Sequence, residues 1–426
     1  MEKQTDVVIV GAGGGGAILG LALAQKNIDT LVLEQALGPP TGIRGEILQP
    51  NGQKILDELG ILEQLPCDAV RPVQFFHFRQ IGGGRLCTID YDLLPPPYNR
   101  ALVTRPHLAH QIVLQALEQR RPNSLWYGAS FRKLLRKDQQ VVGVEAEVEG
   151  RSVKIAAKLV IGADGPFSKV REALAIPTQL HRYPESYVVS ILDCPDDLEE
   201  TQYCIGRQTI LGLFPVAQKK VYVVYMVPSN SMAAVKTAGL SALREKWTTI
   251  YPELHRTFET LIDWNQTAYM PTGRARAATW VRDGALILGD AAHGMNPHAS
   301  QGRMQAMVDA MVLAEHIPTW LEQGDYSAAT LRVFEACRRP HVEMLQRLAD
   351  EEAFFWNTGN PIVAYLRNRV FSTLDRNRRL RYNVLAATAG LRDSPPFGWL
   401  DRLQAVGFLP DPYANDLPAG AVPVVS

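Results

Sequence analysis

Apolar and polar positions change period several times along the first third of the chain. Asp6-Val7-Val8-Ile9-Val10 is a short β-branched run that breaks into Gly11-Ala12-Gly13-Gly14-Gly15-Gly16. Apolar residues then return at helical spacing in Ile18, Leu19, Ala22 and Leu23, ahead of a second run, Asp29-Thr30-Leu31-Val32-Leu33-Glu34. This pattern predicts strand, glycine turn, helix and strand. Asn51 to Leu65 predicts a helix with Ile55, Leu56, Leu59 and Leu62 on one face, and Gly60 is placed to end it early as a left-handed cap. Residues 71–100, with Gly82-Gly83-Gly84 and Pro95-Pro96-Pro97, suit a hairpin and loop, and Leu102 to Glu118 is again helical.

Val141–Val148 and Val153–Ile161 read as strands, the second running into Gly162-Ala163-Asp164-Gly165. Between 181 and 274 the texture is mostly strand-like, as in Tyr187–Ile191 and Val221–Met226, with one helical stretch near 239–262. Ala285-Leu286-Ile287-Leu288 is a buried-strand pattern that meets Gly289-Asp290 and then a helix from Gly302 to Ile317; beyond 350 the chain is helical as far as a Pro-rich tail from about 394. The fold expected is α/β: a Rossmann-like nucleotide-binding domain (1–70, 101–180, 275–350), an inserted mixed-sheet substrate domain (71–100, 181–274), and a helical C-terminal region with its tail (351–426).

Composition narrows the partners. Of 426 residues, 46% are hydrophobic and 21% charged, and Lys plus Arg equals Asp plus Glu at 44 each, so neither nucleic acid nor disorder is signalled by a charge excess. Cys67, Cys87, Cys194, Cys204 and Cys337 are odd in number, scattered and without a CxxC pair, which fits reducing cytoplasm and indicates neither a disulfide framework nor a metal site. The start, Met1-Glu2-Lys3-Gln4-Thr5-Asp6, lacks the basic region of a signal peptide, and no apolar run is long enough to span a bilayer.

Three constellations carry chemistry. Gly11-x-Gly13-x-x-Gly16 lets the backbone turn tightly, approach a pyrophosphate and pack its helix on the strand, while Glu34 stands 18 residues beyond Gly16 to accept from ribose hydroxyls. Alone, this motif does not separate FAD from NAD. The second block is Leu159–Arg171, with Asp164-Gly165-Pro166 at its turn. The third is Leu286-Ile287-Leu288-Gly289-Asp290-Ala291-Ala292-His293, continuing through Pro297 and Gln301-Gly302 to Asp309-Ala310. There a strand-end carboxylate can hold ribitol hydroxyls, and the helix starting at Gly302 turns its positive end toward a flavin. His293 has no second His or Cys at ligand spacing, so it reads as structural.

In this order and spacing, the three blocks resemble the single-component FAD-dependent aromatic monooxygenases, the group of p-hydroxybenzoate hydroxylase and the ubiquinone-biosynthesis hydroxylases. The resemblance spans roughly residues 5 to 350. It implies an FAD site built from Gly11, Gly13, Gly16, Glu34, Arg44, Arg105, Asp164, Gly165, Asp290, Pro297 and Gly302, with Arg44 near the pyrophosphate and Arg105 near the flavin and ribitol. Arg338-Arg339-Pro340 is similar to the family's Arg-Arg-Pro turn between late helices. One departure stands out: Ser300-Gln301-Gly302-Arg303-Met304-Gln305-Ala306 replaces the usual Gly-Gln-Gly-x-Asn-x-Gly, and methionine cannot hydrogen-bond as asparagine does. Trp247-Thr248-Thr249-Ile250-Tyr251-Pro252 differs from the Trp-x-Trp-x-Ile-Pro of flavin halogenases.

The activity implied is reduction of FAD by NAD(P)H, reaction with O2 to a C4a-hydroperoxide, and hydroxylation of an aromatic or quinone-like small molecule. The cofactor carries that chemistry, so no catalytic triad or metal set is required. Phe214, Pro215 and Pro297 are candidate cavity walls, and His77, His181, Tyr203, Tyr222 and Tyr225 are unranked as a general base. The alternatives are an FAD-linked reductase or dehydrogenase acting on a polyprenyl or lipid substrate, and a flavin-binding scaffold without turnover. In residues 361–391, Val363, Leu366, Val370 and Leu374 interleave with six arginines, a pattern suited to a helix packed on the protein or to peripheral contact with an anionic membrane.

Overall fold

The computed structural model describes residues 2–43, 46–105, 107–195 and 198–417. Its first sheet is parallel at the centre. Ala285–Ile287, Arg151–Gly162, Glu2–Val10, Thr30–Leu33 and Leu125–Trp126 lie side by side in that order, all parallel. Val10 is in register with Gly162 and Leu33, and Gly162 with Ile287, so the three motif blocks and Glu34 leave the sheet at one edge. Open α/β sheets bind ligands beyond the carboxyl ends of their strands, and here all the nucleotide-binding motifs emerge there. Val7, Val8, Ile9, Leu159, Val160, Ile161, Leu286 and Ile287 are fully buried, as expected of a central parallel sheet covered on both faces. The excursion Ala129–Lys137 and Gln140–Val148 adds two antiparallel strands to Arg151–Gly162.

The helices of this part are α1 (Gly14–Gln25), α2 (Pro50–Glu58), α3 (Leu108–Arg120) and α4 (Lys169–Ala173). α2 stops where the sequence suggested: Leu59 is its C-cap and Gly60 takes φ +68.

A second sheet of seven strands runs in the order Thr267–Ala277, Thr178–Asp193, Lys220–Pro228, Ile210–Val216, Thr201–Ile205, Phe75–Gln80, Arg85–Asp90. Segments separated by more than a hundred residues meet in it, since Thr201–Ile205 pairs in parallel with Phe76–Gln80. Alternation along each strand divides the side chains between two faces. On one, Val188, Leu211, Leu213, Val221 and Val223 pack with Leu243, Trp247 and Phe258 of α5 (Met232–Ile250) and α6 (His255–Glu259). The sequence places a single helical stretch at 239–262. Instead Gly239 (φ +90) breaks α5, and Pro252 opens a separate turn before α6.

Five further helices complete the chain after the short α7 (Asp290–His293): α8 (Gly302–Gln323), α9 (Ala328–Trp356), α10 (Pro361–Arg376), α11 (Arg378–Thr388) and α12 (Trp399–Val406). Arg338-Arg339-Pro340 is not a turn between helices, as the resemblance implies, but the middle of α9. Pro340 withholds one helical N–H, yet Arg339 spans the position by pairing with both Glu335 and Glu343 and lying 5.1 Å from the Trp280 ring centroid. Residues 361–391 likewise form two helices, because the side chain of Asn377 accepts from Leu380 N and starts α11 afresh.

A buried polar chain ties these helices to the sheet edge. Asp309 of α8 accepts from Gly289 N (3.0 Å), from Arg338 Nε (2.9 Å) and from His293 Nε2 (2.5 Å). Arg338 Nη2 donates to Gln305 Oε1 (2.6 Å), Gln305 and Asn51 both donate to Gln301 Oε1, and Gln301 Nε2 reaches the Thr388 carbonyl of α11 (2.7 Å). Burial alone pushes the Asp309 carboxyl up, but the charges of His293 and Arg338 and the Gly289 N–H outweigh it and hold the pKa at about 2. Replacing Asp309 with Ala leaves the Arg338 charge buried and unpaired. We expect a loss of about 3–5 kcal/mol of folding free energy in denaturant unfolding, and a loss below about 1 kcal/mol would show that Arg338 finds another partner.

Candidate active site

The motif blocks touch one another. A Cβ placed on Gly11, which sits at φ +101, would lie 2.5 Å from the Ala163 carbonyl oxygen and 2.9 Å from Asp164 Cα, so the first glycine lets the second block close against it. On Gly16 a Cβ would meet the Gly11 carbonyl at 2.0 Å, which forces the helix down onto its own turn. Gly15 packs under Leu288 and Ala306, bringing the third block and α8 to the same place. Gly13 faces nothing nearer than 4.0 Å and is the open side of the cradle.

Neither α1 nor α8 has a side-chain cap or an acidic residue in its first turn. Their free N–H groups and positive ends suit an anionic pyrophosphate and an electron-rich flavin ring. Glu34, just past its strand, accepts from Ala12 N (3.0 Å) and Ala36 N (2.8 Å), which holds its carboxylate over the glycine turn. Asp290 opens α7 with an exposed side chain at the same strand edge. These features fit FAD: Gly11, Gly13 and Gly16 with α1 would hold the pyrophosphate, Glu34 the ribose, Asp290 the ribitol, and α8 the ring.

Asp164 spends its carboxylate on Ser168 Oγ and on the N–H groups of Lys169 and Val170, so it builds the start of α4, with Gly165 (φ +80) turning beside it. Arg105 is exposed and precedes α3 by three residues. Arg44 lies outside the described residues. Arg303 carries no motif signal, yet its Cγ and Nε pass 2.9 and 3.4 Å from a Cβ placed on Gly14, so α8 puts a cation at the mouth of α1. Nearby His110 is held neutral, at about 3, by burial and then by the charge of Arg303. Met304, in the asparagine position of the family motif, is 1% exposed and turns toward α2, where Gly52 leaves room for its sulfur.

Over the Pro297 turn (Pro297–Ala299) stands the second face of the seven-stranded sheet. It is aromatic. Phe214 packs with Phe76, Tyr203 and Tyr222 at centroid distances of 5.8, 5.2 and 6.1 Å, and Trp356 at the end of α9 packs with Tyr203, Phe78 and His298 at 5.8, 5.1 and 5.1 Å. Phe214 is on this face, 1% exposed, whereas strand alternation turns Pro215 to the α5 face, with Leu211 and Leu213. Among the suggested bases, Tyr203 and Tyr222 belong to this face, whereas Tyr225 packs on Trp247 behind the sheet.

His298, absent from those suggestions, follows Pro297 directly. Its Nδ1 is 2.5 Å from Asn296 Oδ1, and its Nε2 is 3.0 Å from Asn357 Oδ1 and 3.4 Å from the Tyr187 hydroxyl. Burial pulls its pKa down to about 4 in spite of the Asn357 hydrogen bond, so the ring is neutral at physiological pH. Asn357 Nδ2 continues to Glu185 at 2.7 Å. A nucleotide cradle on parallel strand ends, roofed by an aromatic sheet, defines a flavin-dependent oxygenase.

Comparison with known proteins agrees. Residues 4–349 match the FAD binding domain family, and the chain belongs to it. It is an FAD-dependent monooxygenase. It is 28% identical to the 6-methylpretetramide 4-monooxygenase of Streptomyces rimosus over 350 residues, 81% of this chain and 82% of that one. With the ubiquinone hydroxylase UbiL of Rhodospirillum rubrum it shares 27% identity over 417 residues, 93% and 92% of the two chains. The crystal structure of p-nitrophenol 4-monooxygenase PnpA from Pseudomonas putida DLL-E4 superposes with a TM-score of 0.81 at 20% identity, covering 92% of this chain and 100% of that one, which shows the common fold.

The geometry assigns Arg303 a share of the cofactor's phosphate charge. For Arg303→Gln we expect FAD to bind roughly tenfold or more weakly, since a hydrogen bond to a charged group contributes about 1.5–3 kcal/mol. Titration of flavin-free protein by FAD fluorescence measures it, and an unchanged dissociation constant would reduce Arg303 to packing.

Proposed function

We propose that this chain is a cytoplasmic, single-component, NAD(P)H-driven monooxygenase that hydroxylates an electron-rich aromatic ring held between the Pro297–His298 turn and the aromatic face of the seven-stranded sheet. The aromatic face carries the proposal: Phe76, Tyr203, Phe214 and Tyr222 from four strands, with Trp356 from α9, converge above the turn that leads into α8. When bound, FAD supplies hydride acceptance and oxygen transfer, and the protein supplies orientation and a dry enclosure. Edge and face contacts from these rings would fix the plane of a flat substrate and exclude water. His298, neutral and clamped by Asn296 and Asn357, keeps a polar atom in that apolar surround without adding charge. Relatives named for a pretetramide and for ubiquinone fit a ring substrate of this kind.

The substrate is proposed to come from water and not from a bilayer. Among the described residues no helix is long and apolar enough to cross a membrane. The arginines of residues 361–391 are largely committed: Arg367 donates to the Gly206 and Trp356 carbonyls, Arg369 to Val406, Arg379 to Asp411 and Gln404, and Arg381 to Asp375. Exposed Ile362, Tyr365 and Trp399 are the features that favour peripheral membrane contact as a second reading.

The test is stopped-flow reduction of FAD-loaded protein by NADH and by NADPH, followed by oxygen, with phenolic substrates screened for a hydroxylated product. We expect reduction accelerated by substrate and one oxygen atom incorporated per turnover. Reduction with simple reoxidation and no product would leave the reductase, and no reduction at all would leave the scaffold. Salt-sensitive sedimentation with anionic liposomes, which we do not expect, would restore the membrane source.

A further inference from the structure

One face of α9 carries Arg338, Val342, Leu345, Ala349, Glu352 and Trp356 at intervals of three and four. Its near end is Arg338, bound to Asp309 and Gln305, and its far end is Trp356, packed on His298 and Tyr203. The stripe therefore runs from the cofactor side of the molecule to the aromatic face. Glu352 lies one turn before Trp356, 9% exposed, with Oε2 buried and without a hydrogen-bond partner. Its charge is felt by the Tyr203 phenol on the sheet, and the charge beside it is that of Glu351 on its own helix, which pairs outward with Arg402.

A carboxyl oxygen buried unbonded among aromatic rings is costly, and a ligand hydroxyl that donates to it would recover much of that cost. A ligand carboxylate would have to lie in the same apolar surround without a counter-ion. We propose that Glu352 is the substrate-recognition residue of this enzyme, accepting the ring hydroxyl of a phenolic substrate and excluding aromatic carboxylates. The inference rests on the aromatic-hydroxylase function proposed above and names its substrate class: neutral phenols or enols of fused or single rings. Burial, followed by the neighbouring Glu351, raises the Glu352 carboxyl to about 8. In the absence of ligand it is therefore mostly protonated at neutral pH. His298, on the turn, is neutral in the same range.

The sign of the pH effect follows. The folded protein keeps a proton that the unfolded chain releases above about pH 4.5. The stabilisation from this group is thus present at low pH and lost as pH rises through about 8. Glu352→Gln, which cannot ionise, should show a smaller fall in Tm between pH 6 and pH 9 than the wild type.

The recognition test uses three bicyclic probes of one shape, 2-naphthol, 2-methoxynaphthalene and 2-naphthoate, titrated into FAD-loaded protein and read by the perturbed flavin absorbance. Wild type should bind 2-naphthol about tenfold or more tightly than the methyl ether and reject the carboxylate. Glu352→Leu should bind 2-naphthol and its ether alike, and Glu352→Lys, which supplies the missing cation, should admit 2-naphthoate, both with full FAD content. Wild-type protein without hydroxyl preference, or variants that keep wild-type discrimination, would overturn the assignment. Failure of NAD(P)H to reduce the flavin or of oxygen to reach a product would instead bring down the monooxygenase function, while hydroxyl selectivity dependent on Glu352 would still stand.

Discussion

The Asp309 carboxylate is the constraint on which the rest of the molecule hangs. It is fully buried and receives Gly289 N, His293 and Arg338, so a strand end, a short helix and a long helix are fixed to α8 at one point. A lone buried carboxylate would be unfavourable by many kcal/mol, and it is tolerated because a guanidinium and an imidazole share its two oxygens. Such pairs contribute more to position than to net stability. Here position matters, because Gly289 precedes Asp290 and α8 starts at the proposed flavin ring.

From that point the order extends in two directions. Toward the cofactor, Gln305 and Gln301 carry hydrogen bonds from Arg338 to Asn51 and Thr388, locking the first turn of α8 between α2 and α11. The methionine at 304 is part of this lock. Its sulfur occupies the space left by the missing side chain of Gly52, so a motif position that elsewhere is polar serves packing here. Toward the substrate, the same face of α9 continues past Arg338 to Glu352 and Trp356, and one rigid helix thereby sets the distance between the two halves of the site.

Local features of the site were legible in the sequence because their physics is local. Gly11 must be glycine for its positive φ and for the carbonyl against it, and Gly16 for the turn beneath it, so the chain records both directly. Gly60 ends α2 for a similar reason. The aromatic face was not legible, since Phe76, Tyr203, Phe214, Tyr222 and Trp356 belong to five segments brought together by strand pairing across more than a hundred residues. Pro215 was misplaced because adjacent strand residues point to opposite faces and the sequence does not number the faces. The turn that the resemblance implied at Arg338-Arg339-Pro340 is absent because Arg339 holds the helix together through Glu335 and Glu343, four residues to either side of it. A signal for Glu352 was present in principle: it is an acid at a position whose three- and four-residue spacing otherwise reads as core.

The two polar groups set against the aromatic face have opposite requirements. His298 has its pKa lowered by burial and Glu352 has it raised, and each is driven to its uncharged form. Between about pH 4.5 and 8 this face therefore carries little charge of its own, although it holds both an imidazole and a carboxyl. A charged ligand would have to enter without a counter-ion, whereas a neutral phenol brings a donor for Glu352 Oε2, which lacks one. The same low polarity that makes both groups neutral is what an oxygen-transferring flavin needs around it, since water would divert the reaction. Selectivity for a neutral hydroxylated ring and protection of the chemistry thus arise from one property of the wall, its apolar rings, with Glu352 giving that wall its single direction.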